Sequence, residues 1–305
     1  MALDLDAARG DGAGDRDAGA DLRDASQESE IRGLDALQAG SSAPPLAHAA
    51  WRAAWPKVAA VAIALGLWQL VAVSGWRESY VLPGPVPVFG ELGHQVMAQD
   101  FWKAVGITMT RGVAGFVIAA VLGLVLGVLV ARSRILRAAI GSLITGLQTM
   151  PSIAWFPLAI LLFQMSEQAI LFVILIGAVP SIANGVIGGV DYVPALLVRA
   201  GRNLGASGLS LYRHVVLPAA LPSIVSGLKQ GWAFAWRSLL AGELMVSIAN
   251  RPSLGQYLNQ SRELGDTSYM IALMIAILAI GIGVDAVFSR VEHGIRRRRG
   301  VVVGS

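Results

Sequence analysis

Residues 115–131 read G-F-V-I-A-A-V-L-G-L-V-L-G-V-L-V-A, and this stretch decides the structural class of the protein. It forms the core of a longer apolar run over 108–131 and carries no charged side chain of its own. A helix needs about 20 mostly apolar residues to cross the hydrocarbon layer of a bilayer. The stretch therefore predicts a membrane-spanning helix. Its glycines Gly123 and Gly127, four residues apart, predict close packing of a neighbouring helix.

Further apolar runs lie on both sides of this stretch. They cover residues 58–75, 138–163, 168–190, 221–246 and 268–288. The run at 138–163 contains Pro151 and Pro157, so we expect a kinked or broken helix there. With 55% hydrophobic and only 14% charged residues, the sequence predicts an all-α polytopic membrane protein with about six transmembrane helices.

The first fifty residues differ in composition from the rest of the chain. They contain ten acidic residues, four arginines and no aromatic residue. Such a segment buries too little apolar surface to offset the entropy lost on ordering. We therefore predict a disordered cytoplasmic tail over 1–50 and a transmembrane domain over 51–305.

Lysine and arginine are distributed unevenly between the loops on the two sides of the six predicted spans. The side with the termini carries Arg52, Lys57, Arg132, Arg134, Arg137, Arg199, Arg202, Arg213, Arg290 and the arginines at 296–299. The other side carries Arg77, Lys103, Arg111, Arg251 and Arg262. Because positively charged loops stay in the cytoplasm, both termini and the loop at about 191–220 are predicted to be cytoplasmic.

The sequence offers no arrangement of residues typical of catalysis or metal binding. There is no cysteine, and His48, His94, His214 and His293 are scattered outside the apolar runs. None of the three lysines follows a glycine-rich phosphate loop, so this chain is expected to bind no ATP. We expect no enzyme and no metal site. A transporter subunit, an ion-coupled secondary carrier and a scaffold remain open.

The predicted cytoplasmic loop contains the most informative motif. Residues 199–222 read R-A-G-R-N-L-G-A-S-G-L-S-L-Y-R-H-V-V-L-P-A-A-L-P. They resemble the signature loop E-A-A-x3-G-x9-I-x-L-P of binding-protein-dependent ABC importer permeases. Nine residues separate Gly205 from Val215, and Leu217-Pro218 follow at the required spacing. One difference is that Arg199-Ala200-Gly201 replaces the leading Glu-Ala-Ala, so a basic residue stands at the acidic position.

The resemblance extends over about residues 57–295. It includes W-Q-L-V-A-V-S-G-W at 68–76, Met150-Pro151, Pro157, Glu167, Gly242-Glu243 and Ser253-Leu254-Gly255, which look like the sulfonate, taurine and nitrate branch of the family. It implies the type I permease fold of ABC importers. It also implies that residues 51–305 form a permease subunit, which moves a small solute into the cytoplasm by alternating access.

The family also implies the partners. We expect two permease copies, which the resemblance to this branch implies are identical, two copies of a cytoplasmic ABC ATPase, and an extracytoplasmic substrate-binding protein. ATP and Mg²⁺ would be bound by the ATPase, and no cofactor by this chain. The expected location is the plasma membrane of a bacterium, the cell inner membrane, where the multi-pass chain meets lipid and no nucleic acid.

The resemblance assigns the docking of the ATPase to the signature loop. The expected docking residues are Arg199, Ala200, Gly201, Gly205, Ala206, Leu211, Tyr212, Arg213, Leu217 and Pro218. Segments 200–204 and 206–215 can each form a short helix, with a turn at Gly205 and a new chain direction at Pro218. We expect Gly205, Ala206 and Leu211 to contact the ATPase. The alternative is an interfacial loop that Tyr212 and Arg213 anchor to lipid headgroups.

The candidate residues of the solute path are Met150, Trp155, Gln230, Trp236, Arg237 and Glu243. Arg237 and Gln230, seven residues apart, share one helical face. A guanidinium in the path would suit an aliphatic sulfonate or a related oxyanion. Alternatively, Arg237 pairs with Glu243, and the solute is nitrate, taurine or a heterocyclic precursor. Arg111 is interpreted as a snorkelling anchor at the membrane surface.

Overall fold

The computed structural model describes the backbone of residues 46–298 and the side-chain surroundings of Trp51 and of residues 54–294. Over this range the chain forms helices and no β-strand. The helices are α1 (Leu46–Val73), α2 (Pro85–Met97), α3 (Gln99–Arg132), α4 (Arg134–Thr149), α5 (Phe156–Phe163), α6 (Glu167–Asp191), α7 (Ala195–Asn203), α8 (Gly208–Leu211), α9 (Leu217–Met245), α10 (Leu254–Glu263) and α11 (Thr267–Arg298). A 3-10 turn at Ser152–Trp155 precedes α5, and a π-helical turn at Tyr212–Val216 joins α8 to α9.

Five of these helical segments are long and apolar enough to cross a membrane. They lie in α1, α3, α6, the continuous segment of α8 and α9, and α11. A sixth span results if α4 and the segment through α5 are counted together, although their axes differ by 105°. The predicted all-α class with about six transmembrane helices is therefore confirmed.

The bend between α4 and α5 coincides with the prolines that the sequence places there. Helix α4 ends at Thr149, Pro151 lies immediately before the 3-10 turn, and Pro157 lies in the first turn of α5. Proline has no N–H to donate, so it is tolerated in a first turn and breaks a helix interior. The predicted break in this run is confirmed.

The chain divides into two units, residues 1–67 and 68–305. In the first unit only residues 46–67 are described, and they form the greater part of α1. Most of the predicted tail lies outside the described residues, but α1 begins at Leu46, before the expected limit at residue 50. In the second unit, Trp68 Nε1 donates a hydrogen bond to the carbonyl oxygen of Pro83 at 3.0 Å, which ties the end of α1 to the segment before α2.

The core of the second unit forms around α6, which packs against α3 on one side and α9 on another. Glycines of α3 allow the first contact. A Cβ atom on Gly123 would stand 2.7 Å from Cβ of Ile182, and one on Gly127 would stand 2.6 Å from Cβ of Val186. Real Cβ atoms do not approach so closely, so the packing of α6 against α3 requires glycine at both positions. The predicted role of this glycine pair is confirmed.

The contact of α6 with α9 is closer still. A Cβ atom on Gly185 would lie 2.5 Å from Cα of Gly227, so the two backbones touch with no side chain between them. Without a hydrophobic force between helices in lipid, such close van der Waals contact is a main source of helix association.

Replacement of Gly127 by alanine should destabilise the bundle. The added methyl group would meet Val186 Cβ at 2.6 Å and the backbone oxygen of Ala183 at 2.9 Å, and that oxygen belongs to a rigid helix. We expect a loss of about 1–3 kcal/mol, measured as a lower Tm of the purified protein in detergent.

Gly106→Ala is the matched control for this change. Gly106 lies in the same helix, and no atom lies within 4 Å of the position that its Cβ would take. Because alanine is the better helix former by about 1 kcal/mol, this variant should be as stable as the parent or more so. Equal melting temperatures for both variants would contradict the close contact of α3 with α6.

Candidate functional site

The loop that resembles the family signature forms two short helices joined by a glycine turn. Helix α7 ends at Asn203, and Gly205 follows with φ of +86°. The Ala206 N–H donates to the carbonyl oxygen of Gly201 at 3.0 Å and closes the end of α7. A residue with a Cβ is strained at this φ, so Gly205 is the residue that makes the turn without cost. The predicted turn between two short helices is confirmed.

The second half of the loop differs from the expectation at Pro218. The π turn at Tyr212–Val216 runs directly into α9, and Pro218 stands in the first turn of that helix. The expected change of direction at Pro218 is therefore wrong. Proline needs no N–H partner in a first turn, so the chain stays helical there.

The interior of the loop is formed by the residues that hold α7 against the π turn. Gly201 is buried, and a Cβ atom on it would lie 2.8 Å from Val215 Cγ2 and 2.9 Å from Leu211 Cδ1. The Leu211 side chain is only 7% exposed. The expected contact of Leu211 with a partner is therefore wrong for this conformation, because its side chain is covered by the loop itself.

The outer surface of the loop combines apolar and basic side chains. Leu204 is 89% exposed and Leu209 is 68% exposed. The side chains of Arg199, Ala200, Arg202 and Arg213 are exposed as well. The guanidinium of Arg132, at the end of α3, lies 5.8 Å from the ring centroid of Tyr212 and makes a cation–π contact with it.

The six candidate path residues do not come together as one site. Trp236 and Arg237 line a cleft of about 760 Å³ between α9, α10 and α11. Gln230 lines a second cleft, of about 370 Å³, between α6 and α9. Met150 and Trp155 lie at the break between α4 and α5, where Trp155 Nε1 is buried without a hydrogen-bond partner in the described structure. Glu243 lies in neither cleft.

Glu243 belongs instead to a buried network of charged side chains. Arg111 donates from Nη1 to Glu243 Oε1 at 3.0 Å and from Nε and Nη2 to Glu167 at 2.8 Å each. The side chain of Glu243 is 0% exposed and that of Arg111 only 9%. Arg251, at the surface, also donates to Glu167 Oε1 at 3.0 Å. Two guanidinium groups thus face two carboxylates.

The same network holds the first turn of α10. Glu243 Oε2 accepts from Thr108 Oγ1 at 2.9 Å and from the Gly255 N–H at 3.2 Å. Thr108 Oγ1 in turn accepts from the Leu254 N–H at 3.0 Å. The first amides of a helix have no partner within the helix, and side chains of α3 and α9 satisfy two of them here. We name Thr108, Arg111, Glu167, Glu243 and Arg251 the charge network.

These contacts correct two interpretations drawn from the sequence. Arg111 is not a snorkelling anchor, because its guanidinium is enclosed between two carboxylates inside the bundle. Glu243 does not pair with Arg237 in this chain, since both of its oxygens are occupied by α3 and α10. The sequence did contain one signal, because a charge within an apolar run usually faces protein. It could not say which of several acidic residues, more than fifty positions away, would be the partner.

The chain matches the model of the family described as binding-protein-dependent transport system inner membrane component, over residues 97–297. It belongs to this family. The chain is therefore a permease subunit of an ABC importer, and the expected membership is confirmed. The match includes α3 through α11, with the signature loop and the charge network.

Curated relatives agree with this assignment. A bicarbonate transport system permease protein of Synechococcus elongatus is 30% identical over 243 residues, 76% of this chain and 85% of the relative. A nitrate import permease protein of Synechocystis is 32% identical over 197 residues, 61% of this chain and 70% of the relative. A putative aliphatic sulfonates transport permease protein of Escherichia coli is 30% identical over 217 residues, 71% and 81% of the two chains.

The fold of the permease is that of a known importer. A solved structure of the MetNI methionine ABC transporter matches with a TM-score of 0.52 and 22% identity, covering 64% of this chain and 93% of the solved chain. This likeness confirms the fold of an ABC importer permease. In the described part of the permease no three His, Asp or Glu side chains are grouped so as to hold a metal ion.

Removal of the central arginine of the charge network should destabilise the permease strongly. In Arg111→Met, Glu243, which is buried, and Glu167 would lose the guanidinium that compensates both carboxylates, a loss of about 3–5 kcal/mol. We expect a much lower Tm in detergent. Lys103→Met is the control, because Lys103 lies in the same helix and its ion pair with Asp100 is exposed at the surface. This control should melt like the parent protein.

A double variant separates the charge effect from lost packing. Arg111→Met combined with Glu243→Met removes the buried carboxylate along with its partner. We expect it to be more stable than the sum of the two single variants predicts, because a buried unpaired charge costs more than its absence. Strict additivity of the three melting shifts would contradict a direct interaction between Arg111 and Glu243.

Proposed function

We propose that this permease, as one of two identical copies, imports a small oxyanion, with an aliphatic sulfonate as the first candidate. Each pair of permeases would work with two copies of a cytoplasmic ABC ATPase and with an extracytoplasmic binding protein that delivers the anion. ATP and Mg²⁺ would be bound by the ATPase. The permease would sit in the bacterial inner membrane with both termini in the cytoplasm, as the arginine distribution favours.

The proposed docking site is the outer surface of the loop at 191–220, which we name the docking loop. Exposed Leu204 and Leu209 offer apolar contact, and the neighbouring Arg199 and Arg202 offer charge. Gly205 stands between the two leucines, and the space around its Cβ position is open to a partner. Because the loop continues without interruption into α9, a movement of the ATPase there would be passed to a membrane-spanning helix.

Arg237 is the single observation that carries the choice of an anion. It lies eight residues before the end of α9, about 12 Å along the helix, within the apolar run at 221–246 that is expected to cross the bilayer. Its Nε donates to the Ala233 carbonyl oxygen at 3.0 Å, and its guanidinium lies 4.7 Å from the ring centroid of Phe234. No carboxylate between residues 54 and 294 pairs with it.

An exposed arginine without a carboxylate at this depth needs water or an anion beside it. A guanidinium binds planar and tetrahedral oxyanions through two parallel hydrogen bonds. Nitrate, bicarbonate and sulfonates, the solutes named for the relatives, all belong to these shapes. The cleft of Arg237 is lined by Trp232, Trp236 and aliphatic side chains of α11, which would suit the alkyl part of a sulfonate. Asp285 of α11 also lines this cleft, and Lys229 Nζ lies 3.5 Å from its Oδ1 and compensates its charge. This lining favours the sulfonate over nitrate.

Replacement of Gly205 by tryptophan should uncouple ATP hydrolysis from transport. The indole would project from the exposed turn into the surface that the ATPase covers, and the positive φ would strain the turn in addition. We expect normal membrane insertion with loss of transport in proteoliposomes of the assembled complex. Gly205→Asn is the control, since asparagine is small and tolerates a positive φ. Coupled transport in the tryptophan variant would refute docking at this turn.

Replacement of Arg237 by glutamine should abolish uptake without weakening the permease. Because its guanidinium has no carboxylate partner, Arg237→Gln should keep the parent Tm and the ATPase activity stimulated by the binding protein. Uptake of ethanesulfonate into proteoliposomes should fall to background. Glu243→Gln is the comparison: because it weakens the charge network, we expect it to lower Tm, which Arg237→Gln should not do. Undiminished uptake in Arg237→Gln would exclude a role for Arg237 in the path.

A further inference from the structure

A second cleft, of about 370 Å³, lies between α6 and α9, towards the ends of both helices that adjoin the docking loop. The polar side chains that line it are Asn184, Tyr192, Ser223, Ser226 and Gln230. No lining residue is aspartate, glutamate, lysine, arginine or histidine. Glycines of both helices complete the wall, so polar backbone is accessible there as well. We name this the neutral cleft.

The composition of the neutral cleft is wrong for a surface that faces lipid. Hydroxyl, amide and backbone groups lose several kcal/mol each, to order of magnitude, when hydrocarbon replaces their hydrogen-bond partners. Gln230 is exposed in this chain, and no hydrogen bond from its amide to a described residue is found. The cleft is therefore suited to water and a polar solute.

A buried hydroxyl beside the cleft strengthens this argument. Ser181 is 0% exposed, and its Oγ has no hydrogen-bond partner in the described structure. In an α-helix, residues 181, 184 and 188 lie within about 60° of one another, so Ser181 shares the face of α6 that carries Asn184 into the cleft. An unpaired buried hydroxyl is rare, and its presence here extends the polar face of the cleft deeper into the bundle.

The neutral cleft and Arg237 lie along the same face of α9. Ser223, Gln230 and Arg237 follow one another at intervals of seven residues, which places them on one face of α9. The step from Arg237 to Gln230 is about 10.5 Å along the helix axis. An anion that leaves the guanidinium and moves along α9 towards the docking loop thus meets the uncharged donors of Ser223, Gln230 and Tyr192. The Ser226 hydroxyl already donates to Glu292 Oε1 at 2.9 Å, and the Asn184 amide donates one of its two hydrogens to Gln148 Oε1.

We infer that the neutral cleft is a second, weaker binding site for the transported oxyanion, on the side of the docking loop from which the solute leaves. This inference rests on the proposed function. Hydrogen bonds from neutral donors are about half as strong as those from charged ones, so the cleft would hold an anion without trapping it. Passage through a membrane requires such weak sites, because a solute must also depart. The volume of the cleft fits nitrate, bicarbonate or a short alkyl sulfonate.

The absence of cysteine from the chain makes a direct test possible. In Gln230→Cys, assembled with ATPase in lipid nanodiscs open on both sides, the new thiol can be probed with sulfonatoethyl methanethiosulfonate, an anionic reagent. We expect labelling about tenfold faster than for Leu122→Cys, an exposed apolar position of α3, because thiolate reactions need water. We also expect millimolar ethanesulfonate or nitrate to slow labelling, and an uncharged solute at the same concentration to leave it unchanged.

Two outcomes would overturn the inference. No labelling of Gln230→Cys, or a disulfide between two copies through this thiol, would mean that lipid or a second permease covers the cleft. Labelling that none of the small anions slows would mean that the cleft holds water and no anion. Ser223→Cys provides a second, nearly isosteric variant if Gln230→Cys does not assemble. Anion uptake by the parent complex separates this failure from failure of the proposed function, which predicts uptake whatever the labelling shows.

Discussion

The structure depends on the close approach of three helices at glycine. Helix α6 contacts α3 through Gly123 and Gly127 and contacts α9 through Gly185 and Gly227, where backbones meet without side chains between them. In lipid, the apolar side chains of separate helices gain little by leaving the solvent, so packing and internal hydrogen bonds must hold the bundle. Within residues 68–305, α10 follows α9 in the chain, and the loop at 191–220 joins α6 to α9, so both are connected directly to these three helices.

The charge network and the glycine contacts are complementary. Glycine contacts bring helix axes together on the faces that carry the glycines, but van der Waals contact tolerates small rotations of a helix about its axis. The guanidinium of Arg111 has a fixed fork geometry and meets Glu167 with two hydrogen bonds and Glu243 with a third. A rotation of α3, α6 or α9 would separate one of these pairs. The network therefore defines the register in which the glycines make contact.

Much of the fold could be predicted from the sequence. The apolar runs gave the spans, Pro151 and Pro157 gave the break, and Gly205 gave the turn in the loop, because each of these depends on local chemistry. The charge network could not be predicted, because Arg111 and Glu243 are separated by 132 residues and only the packing of α3 on α9 joins them. The burial of Leu211 was missed for the same reason, since a spacing motif does not say which side of a loop faces inward. Helix α10, polar and short, gave no signal in apolar periodicity.

The hydrogen bonds at the start of α10 have a mechanical consequence. Helix α9 is continuous over 29 residues, about 43 Å along its axis, with Pro222 in its interior. Its first turn adjoins the loop at 191–220, and its last turn carries Glu243. The Gly255 amide donates a hydrogen bond to Glu243 of α9, and the neighbouring Leu254 amide donates one to Thr108 of α3. A displacement of the loop at 191–220 would therefore have a continuous route along α9 to the hydrogen bonds at the start of α10.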